Sequence, residues 1–80
     1  MEYFVYILFS KSLNVYYKGS TANLEQRLIY HLEGSSVYSS RANDWVIVYS
    51  KKFDTKKEAL IEEKRLKKLN ITSLEKLIKR

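Results

Sequence analysis

Seven consecutive residues near the start of the chain, Tyr3-Phe4-Val5-Tyr6-Ile7-Leu8-Phe9, are all aromatic or aliphatic and show no alternation. A strand that is apolar on both faces has to be covered on both faces, so this stretch reads as the central strand of a sheet. It follows an acidic residue, Glu2, and breaks at Ser10-Lys11, and it is too short to span a bilayer. It therefore reads as neither a signal peptide nor a membrane segment, and a soluble, cytoplasmic protein is expected. The chain has 80 residues, enough for one domain over residues 1–80 with one small core.

The partner strand is expected at residues 14–19, ending at Gly19, where a backbone without Cβ can turn sharply or let another group approach. Ser10-Lys11-Ser12-Leu13 between the two is short and mostly polar, which makes an antiparallel hairpin. A turn centred there sets Tyr6 opposite Tyr17, and directly opposed residues project from the same face. Two phenols then converge on one surface. Thr21 is placed to cap the next helix, where Leu24, Leu28 and Leu32 repeat every four residues as the core stripe, and Arg27 and His31 share an adjoining stripe. Glu33-Gly34-Ser35-Ser36 ends that helix.

A serine-rich loop from Gly34 to about Asn43, carrying Tyr38 and Arg41, is long for such a small domain and is expected to be mobile. Trp45 to Tyr49 reads as a third strand. Thr55-Lys56-Lys57-Glu58 matches a capping box and opens the main helix, which runs to about Leu69; Thr72-Ser73-Leu74-Glu75 repeats the pattern before a short final helix. The order β-β-α-β-α-α indicates an α+β fold with a three-stranded antiparallel sheet.

The net charge of +6 is unevenly distributed. Residues 1–50 hold four basic and four acidic side chains, whereas residues 51–80 hold eleven basic against five acidic. The excess belongs to the C-terminal part, which suits a polyanionic partner or, equally, a solvated lysine-rich helix face. No cysteine and a single histidine, His31, exclude a cysteine-type zinc site, a disulfide framework and a multi-histidine metal site. Any metal has to rest on carboxylates, water and substrate.

Glu63 carries an unexpected signal. Four residues on a helix turn through about 40°, so Glu63 falls close to Ala59 and shares the core-facing arc with Leu60, Leu66 and Leu69. A carboxylate on that face needs a partner. It is either a metal ligand aimed at the sheet or a rim residue paired with Arg27 or a lysine. Glu62, also near the arc, is the rival ligand. Tyr6 and Tyr17 are open to a plain reading as strand aromatics, Arg27 as an exposed helical arginine, and His31 as a hydrogen-bonded structural histidine.

Phe4-Val5-Tyr6, Tyr17-Lys18-Gly19-Ser20-Thr21, Asn23-Leu24-Glu25-Gln26-Arg27-Leu28, His31 and Glu58-Ala59-Leu60-Ile61-Glu62-Glu63-Lys64 occur in an order that resembles the GIY-YIG endonuclease family. The likeness is to its small stand-alone members and runs from Tyr3 to about Leu69. It implies helices flanking the sheet. It further implies that Tyr6 and Tyr17 contact the attacking water and the scissile phosphate, with Tyr6 as candidate general base. A phenol has a pKa of about 10, so that role needs a nearby cation or metal. By the same resemblance Arg27 binds the scissile phosphate, a task suited to its planar fork. His31 bonds phosphate or assists proton transfer, and Glu63 is the single metal ligand.

Three positions depart from the family pattern. Phe4 stands for the first glycine of the motif, Lys18 for an apolar residue facing away from Tyr17, and Ser20 for a lysine that some relatives place in the site. The expected activity is metal-dependent DNA cleavage using one Mg²⁺ or Mn²⁺. Lys64, Arg65, Lys67, Lys68 and Arg41 would supply sequence-independent attraction to the backbone. No base-reading element is evident, so selection by DNA structure is expected, on branched or single-stranded DNA, with a protein partner as one route to targeting. The rival readings are a nucleic-acid-binding module without turnover and a protein-interaction module whose basic helix docks an acidic partner.

Overall fold

The computed structural model describes residues 2–33 and 41–78. Tyr38 and most of the serine-rich loop lie outside the described residues. The elements are β1 (Tyr3–Ser10), β2 (Val15–Thr21), α1 (Leu24–Leu32), β3 (Trp45–Phe53), α2 (Lys56–Lys67) and α3 (Ile71–Ile78). The three strands form one antiparallel sheet in the order β2-β1-β3, so the apolar strand is central as its composition requires. Among the described residues no helix is long and apolar enough to cross a membrane.

Successive residues of β1 point to opposite faces and enter two separate cores. On one face Val5 and Ile7 pack with Ala59 and Leu66 of α2 and Leu74 of α3. On the other, Tyr6 and Leu8 pack with Trp45, with Tyr17, Leu24 and Leu28 alongside. A bulge in β3 opposite Ile7/Leu8 leaves one extra residue between the partners Ile47 and Tyr49. Val48 and Tyr49 both pack against the first core as a result.

The hairpin register differs from the sequence expectation by two residues. Tyr6 pairs with Gly19, and Tyr17 pairs with Leu8. The loop residues 11–14 separate the strands, with Asn14 at φ 54, a left-handed conformation that asparagine tolerates. Asp44 fixes the loop from across the sheet, accepting from Ser10 Oγ at 2.6 Å and from Ser12 N–H at 2.8 Å. Because a two-residue slip preserves the face, the tyrosines still share one side of the sheet, now as diagonal neighbours.

Two of the three described helix starts differ from the caps expected from sequence. β2 continues through Thr21, and Asn23 caps α1 instead, its Oδ1 accepting from Gln26 N–H at 3.0 Å. Thr55 caps α2 as expected, accepting from Glu58 N–H and donating to the Glu58 carboxylate. α3 begins two residues before the Thr72 pattern, with Asn70 Oδ1 accepting from Ser73 N–H at 2.8 Å. The core stripe of α1 is also rotated from Leu24-Leu28-Leu32: the buried residue in the last turn is His31, while Leu32 is 38% exposed. On α2 the inward arc is Ala59, Glu63 and Leu66, and Leu60 lies outside it.

Gly19 is a point of close approach between β2 and β1. A Cβ there would lie 2.6 Å from Tyr6 Oη and 2.8 Å from its Cζ, so the Tyr6 ring occupies the space of a missing side chain. Gly19→Ala is therefore expected to cost about 1–3 kcal/mol by overpacking. In thermal denaturation that is a fall of at least roughly 4 °C for a domain this size. The same change should be nearly silent in a Tyr6→Leu background.

Candidate active site

Tyr6, Tyr17 and His31 form one aromatic cluster on the α1 face of the sheet. Tyr6 Oη and His31 Nε2 are 3.1 Å apart, and the rings of Tyr17 and His31 have centroids 4.7 Å apart. Tyr6 and Tyr17 rings are separated by 6.4 Å, and Trp45 closes the far side, 6.5 Å from Tyr17. Local sequence explains the convergence. β1 and β2 bring the phenols to one face, and the spacing Leu24, Leu28, His31 follows the i, i+4, i+7 rule that brings the imidazole onto the same face.

Burial divides the cluster into two layers. Tyr6 and His31 are buried, whereas Tyr17 and Arg27 are partly exposed. From solvent, Tyr17 and Arg27 are met first, with the Tyr6–His31 pair behind them. Burial pushes the Tyr6 phenol well above its ordinary pKa; Tyr17 and Glu63 push it further, and the charge of Arg27 works against them. The Tyr6 hydroxyl thus stays protonated at neutral pH and bonds His31. Burial, followed by the Arg27 charge, pulls the His31 pKa below the usual histidine value, so the imidazole is neutral. Its Nδ1 is buried without a hydrogen-bond partner.

Among the described residues no acid pairs with Arg27. Its guanidinium carbon lies 5.0 Å from the centre of the Tyr30 ring, one turn along α1. Tyr30 is a residue the sequence reading missed; the i, i+3 spacing of Arg27 and Tyr30 was the available signal. Together with Thr21, Asn23 and Gln26 they line an open pocket of about 250 Å³.

Glu63 reaches the sheet from the other side. Ser20 pairs with Val5 and so points to the α2 face, where its hydroxyl donates to Glu63 Oε1 at 2.7 Å. Oε2 holds the Lys67 ammonium at 2.8 Å. Burial opposes the charge on Glu63, but the bonds from Lys67 and Ser20 outweigh it and the carboxyl titrates below its ordinary value. Of the two partners open to a rim carboxylate, Arg27 or a lysine, it is a lysine, Lys67, one turn further along the same helix face, while Arg27 stands on α1 across the sheet. Glu62, the rival ligand, is engaged by Arg65 through two bonds of 2.6 and 2.8 Å. Ser20, read from sequence as a lost cation, is instead an anchor for Glu63.

A carboxylate held ionised, with an ammonium already seated against one oxygen, accepts a positive group at that position. Among the described residues no group of three or more histidine, cysteine or acidic side chains is arranged for a metal. This donor set fits a hard divalent cation that keeps most of its water and draws other ligands from phosphate oxygens. Of the basic residues expected to meet DNA, Arg65 and Lys67 are committed to acids on their own helix, while Lys64, Lys68 and Arg41 are exposed.

A family model described as the GIY-YIG catalytic domain matches residues 2–77. The chain belongs to the GIY-YIG family. It is 39% identical over 69 residues to a UPF0213 protein of Oceanobacillus iheyensis, a match covering 85% of this chain and 79% of the relative. The solution NMR structure of a UPF0213 protein from Bacillus halodurans superposes with a TM-score of 0.63 at 29% identity, covering 99% of this chain and 84% of that one. The GIY-YIG domain is of nuclease type, and such nucleases are generally metal-dependent. The two name-giving triplets stand here as Phe4-Val5-Tyr6 and Tyr17-Lys18-Gly19.

The buried neutral His31 sets a pH window for stability. The unfolded imidazole has a pKa of about 6.5 and the folded one is lower, so between the two values only the unfolded chain carries the proton. Stability is full above that range and falls as pH drops below about 6.5, by at most about 1.4 kcal/mol per pH unit. Urea denaturation between pH 7.5 and 5 should show this loss in the wild type and a flat response in His31→Gln.

Proposed function

We propose that this protein is a metal-dependent DNA endonuclease that selects its substrate by DNA structure rather than sequence. The observation that carries the reading is the packing of Tyr6, Tyr17 and His31 into one cluster under the charge of Arg27, in a chain matched by the GIY-YIG catalytic domain over residues 2–77. Arg27 holds the scissile phosphate through its guanidinium fork. Tyr17, the more exposed phenol, orients the phosphate and the attacking water. Tyr6 takes the proton of that water as its own passes to His31 Nε2, which is neutral and within hydrogen-bond reach. The relay avoids a free phenolate, which the burial of Tyr6 disfavours.

Glu63 is the residue to hold a single Mg²⁺ or Mn²⁺, with Ser20 fixing the carboxylate. When bound, the cation supplies charge stabilisation at the leaving oxygen. A cation on Glu63 would compete with Lys67 for Oε2, and Lys67 would then be available to the DNA backbone beside Lys64 and Lys68, with Arg65 and Arg41 further out. The partner is DNA, branched or single-stranded, encountered in the cytoplasm by this one domain or with a second protein that targets it.

A binding module without turnover is the second reading. Its support is the pairing of both Glu63 oxygens, one with Ser20 and one with Lys67.

Incubation with labelled branched and linear DNAs, with Mg²⁺, Mn²⁺ or chelator, separates the two. Cleavage by the wild type should require the metal. Glu63→Gln should cut at background level while binding DNA as well or better, since a negative charge near phosphate is removed. Arg27→Ala should weaken both steps, and Tyr6→Phe should lower the rate and, by leaving His31 Nε2 without its partner, cost about 1–3 kcal/mol of stability while binding is kept. No metal-dependent cutting of any substrate, or a Glu63→Gln variant as active as wild type, would reject the enzyme.

Binding should also weaken steeply with salt through counterion release. Replacing Lys64 and Lys68 by glutamine should flatten the dependence of log affinity on log salt by about one to two units, since each phosphate contact contributes roughly 0.7–0.9. An unchanged slope would move the backbone contacts elsewhere on the molecule.

A further inference from the structure

The pocket beside Arg27 has a lining that phosphate binding does not explain. Its volume of about 250 Å³ is lined by Thr21, Asn23, Gln26, Arg27 and Tyr30: one guanidinium, two carboxamides, a hydroxyl and an aromatic ring. A site for several phosphates would require more positive charge than one arginine. Two of the backbone amides at the start of α1 are already engaged, Gln26 N–H with Asn23 Oδ1 and Arg27 N–H with the Asn23 carbonyl. Neutral amide groups next to an aromatic ring and a flat cation are instead the chemistry that recognises a nucleobase. Carboxamides match the donor and acceptor pattern of a base edge, and an aromatic ring offers a stacking surface to any base.

We propose that this pocket receives one unpaired nucleobase of the DNA strand whose phosphate is held by Arg27. The inference rests on the phosphodiesterase reading for the position of that phosphate. Arg27 connects the two places. Its guanidinium lies 5.0 Å from the Tyr30 ring centre, while its charge acts on both Tyr6 and His31. A phosphate on its outer edge has its own or its neighbour's base within reach of Tyr30. Tyr30 is 37% exposed and lines the pocket, with Arg27 over one face of its ring, and it is the residue on which a base would stack. Asn23 uses its Oδ1 in the helix cap and has Nδ2 to offer as donor, and the exposed Gln26 side chain offers both a donor and an acceptor. In a duplex the base edge is already paired and the base face already stacked, so only a base freed from both can enter. Single strands, flaps and junction arms expose such bases. The pocket thereby gives a physical basis for structure selection without a sequence-reading element.

The test uses the intact protein with chelator present, so that nothing is cut, and measures fluorescence anisotropy with short single-stranded oligonucleotides, with the same oligonucleotides carrying one abasic position, and with the matching duplex. Tyr30→Ala should weaken single-strand binding about tenfold, in the range of one base–aromatic stack. An abasic position at the bound site should weaken the wild type to a similar extent and should cost Tyr30→Ala little more. Tyr30→Phe, which keeps the ring, should bind as the wild type does, and duplex affinity should change less than twofold in Tyr30→Ala. Equal single-strand affinity in Tyr30→Ala and wild type, a parallel loss for duplex and single strand, or no oligonucleotide binding at low salt would each overturn the pocket assignment. Cleavage is read separately with Mg²⁺. Cutting that is indifferent to Tyr30 and to abasic positions rejects the pocket and leaves the nuclease standing. Base-dependent binding without cutting rejects the nuclease and leaves the pocket.

Discussion

The close approach of the Tyr6 ring to Gly19 governs the arrangement of this molecule's α1 face. The ring lies where any other residue at position 19 would place its Cβ, and its hydroxyl ends up buried. A buried hydroxyl without a partner costs about 1–3 kcal/mol, so an acceptor or donor must be brought to it. His31 meets that need, and doing so fixes the rotation of α1: the helix turns its histidine inward and Leu32 outward. The contact that docks the helix is the same contact that assembles the proposed proton relay. Strain or loss at Gly19 would therefore be felt in stability and in chemistry together.

The second half of the proposed site depends on a different balance. Glu63 lies on the inward arc of α2 between Ala59 and Leu66, where a lone carboxylate would be costly. Ser20 and Lys67 compensate for it, and Ser20 does so from the residue adjacent to Gly19 on the edge strand. The two faces of the sheet thus come close at one short segment of β2. Electrostatics already connects them, since the Glu63 charge raises the Tyr6 pKa while Arg27 lowers it. A divalent cation on Glu63 would remove one side of that opposition and favour proton release from the phenol.

How much of this was legible in the sequence follows from the range of each interaction. The central strand, the α+β order and the shared face of Tyr6 and Tyr17 are consequences of local apolar pattern and of period-two geometry, which survive a register slip of two. The register itself was not legible, because it is set by where a glycine can accept an aromatic ring from the next strand and by Asp44 binding the hairpin loop from 32 residues away. Cap choice failed at Thr21 and Thr72, where an asparagine nearby offered a better side-chain acceptor once the strand length or preceding helix was known. Leu32 and Leu60 fit the four-residue stripe and the arc about Glu63, yet are 38% and 40% exposed, because helix docking on the sheet, which spacing does not encode, selects which edge of each arc turns inward. His31 and Ala59 hold the corresponding inward positions. Tyr30 and Lys67, each three or four residues from a residue that was singled out, were detectable by helical spacing and acquire meaning only beside Arg27 and Glu63.

The central claim is that the carboxylate on the α2 face and the tyrosine cluster on the α1 face serve a single cation-dependent site joined at Gly19-Ser20. Titrating paramagnetic Mn²⁺ into isotope-labelled protein and following line broadening by NMR tests it directly. The expected result is broadening that begins at Ser20, Glu63 and Lys67, extends to the Tyr17 and Tyr6 ring signals, and disappears in Glu63→Gln. Sharp Ser20 and Glu63 signals while other residues broaden, or the same pattern in Glu63→Gln, would contradict it.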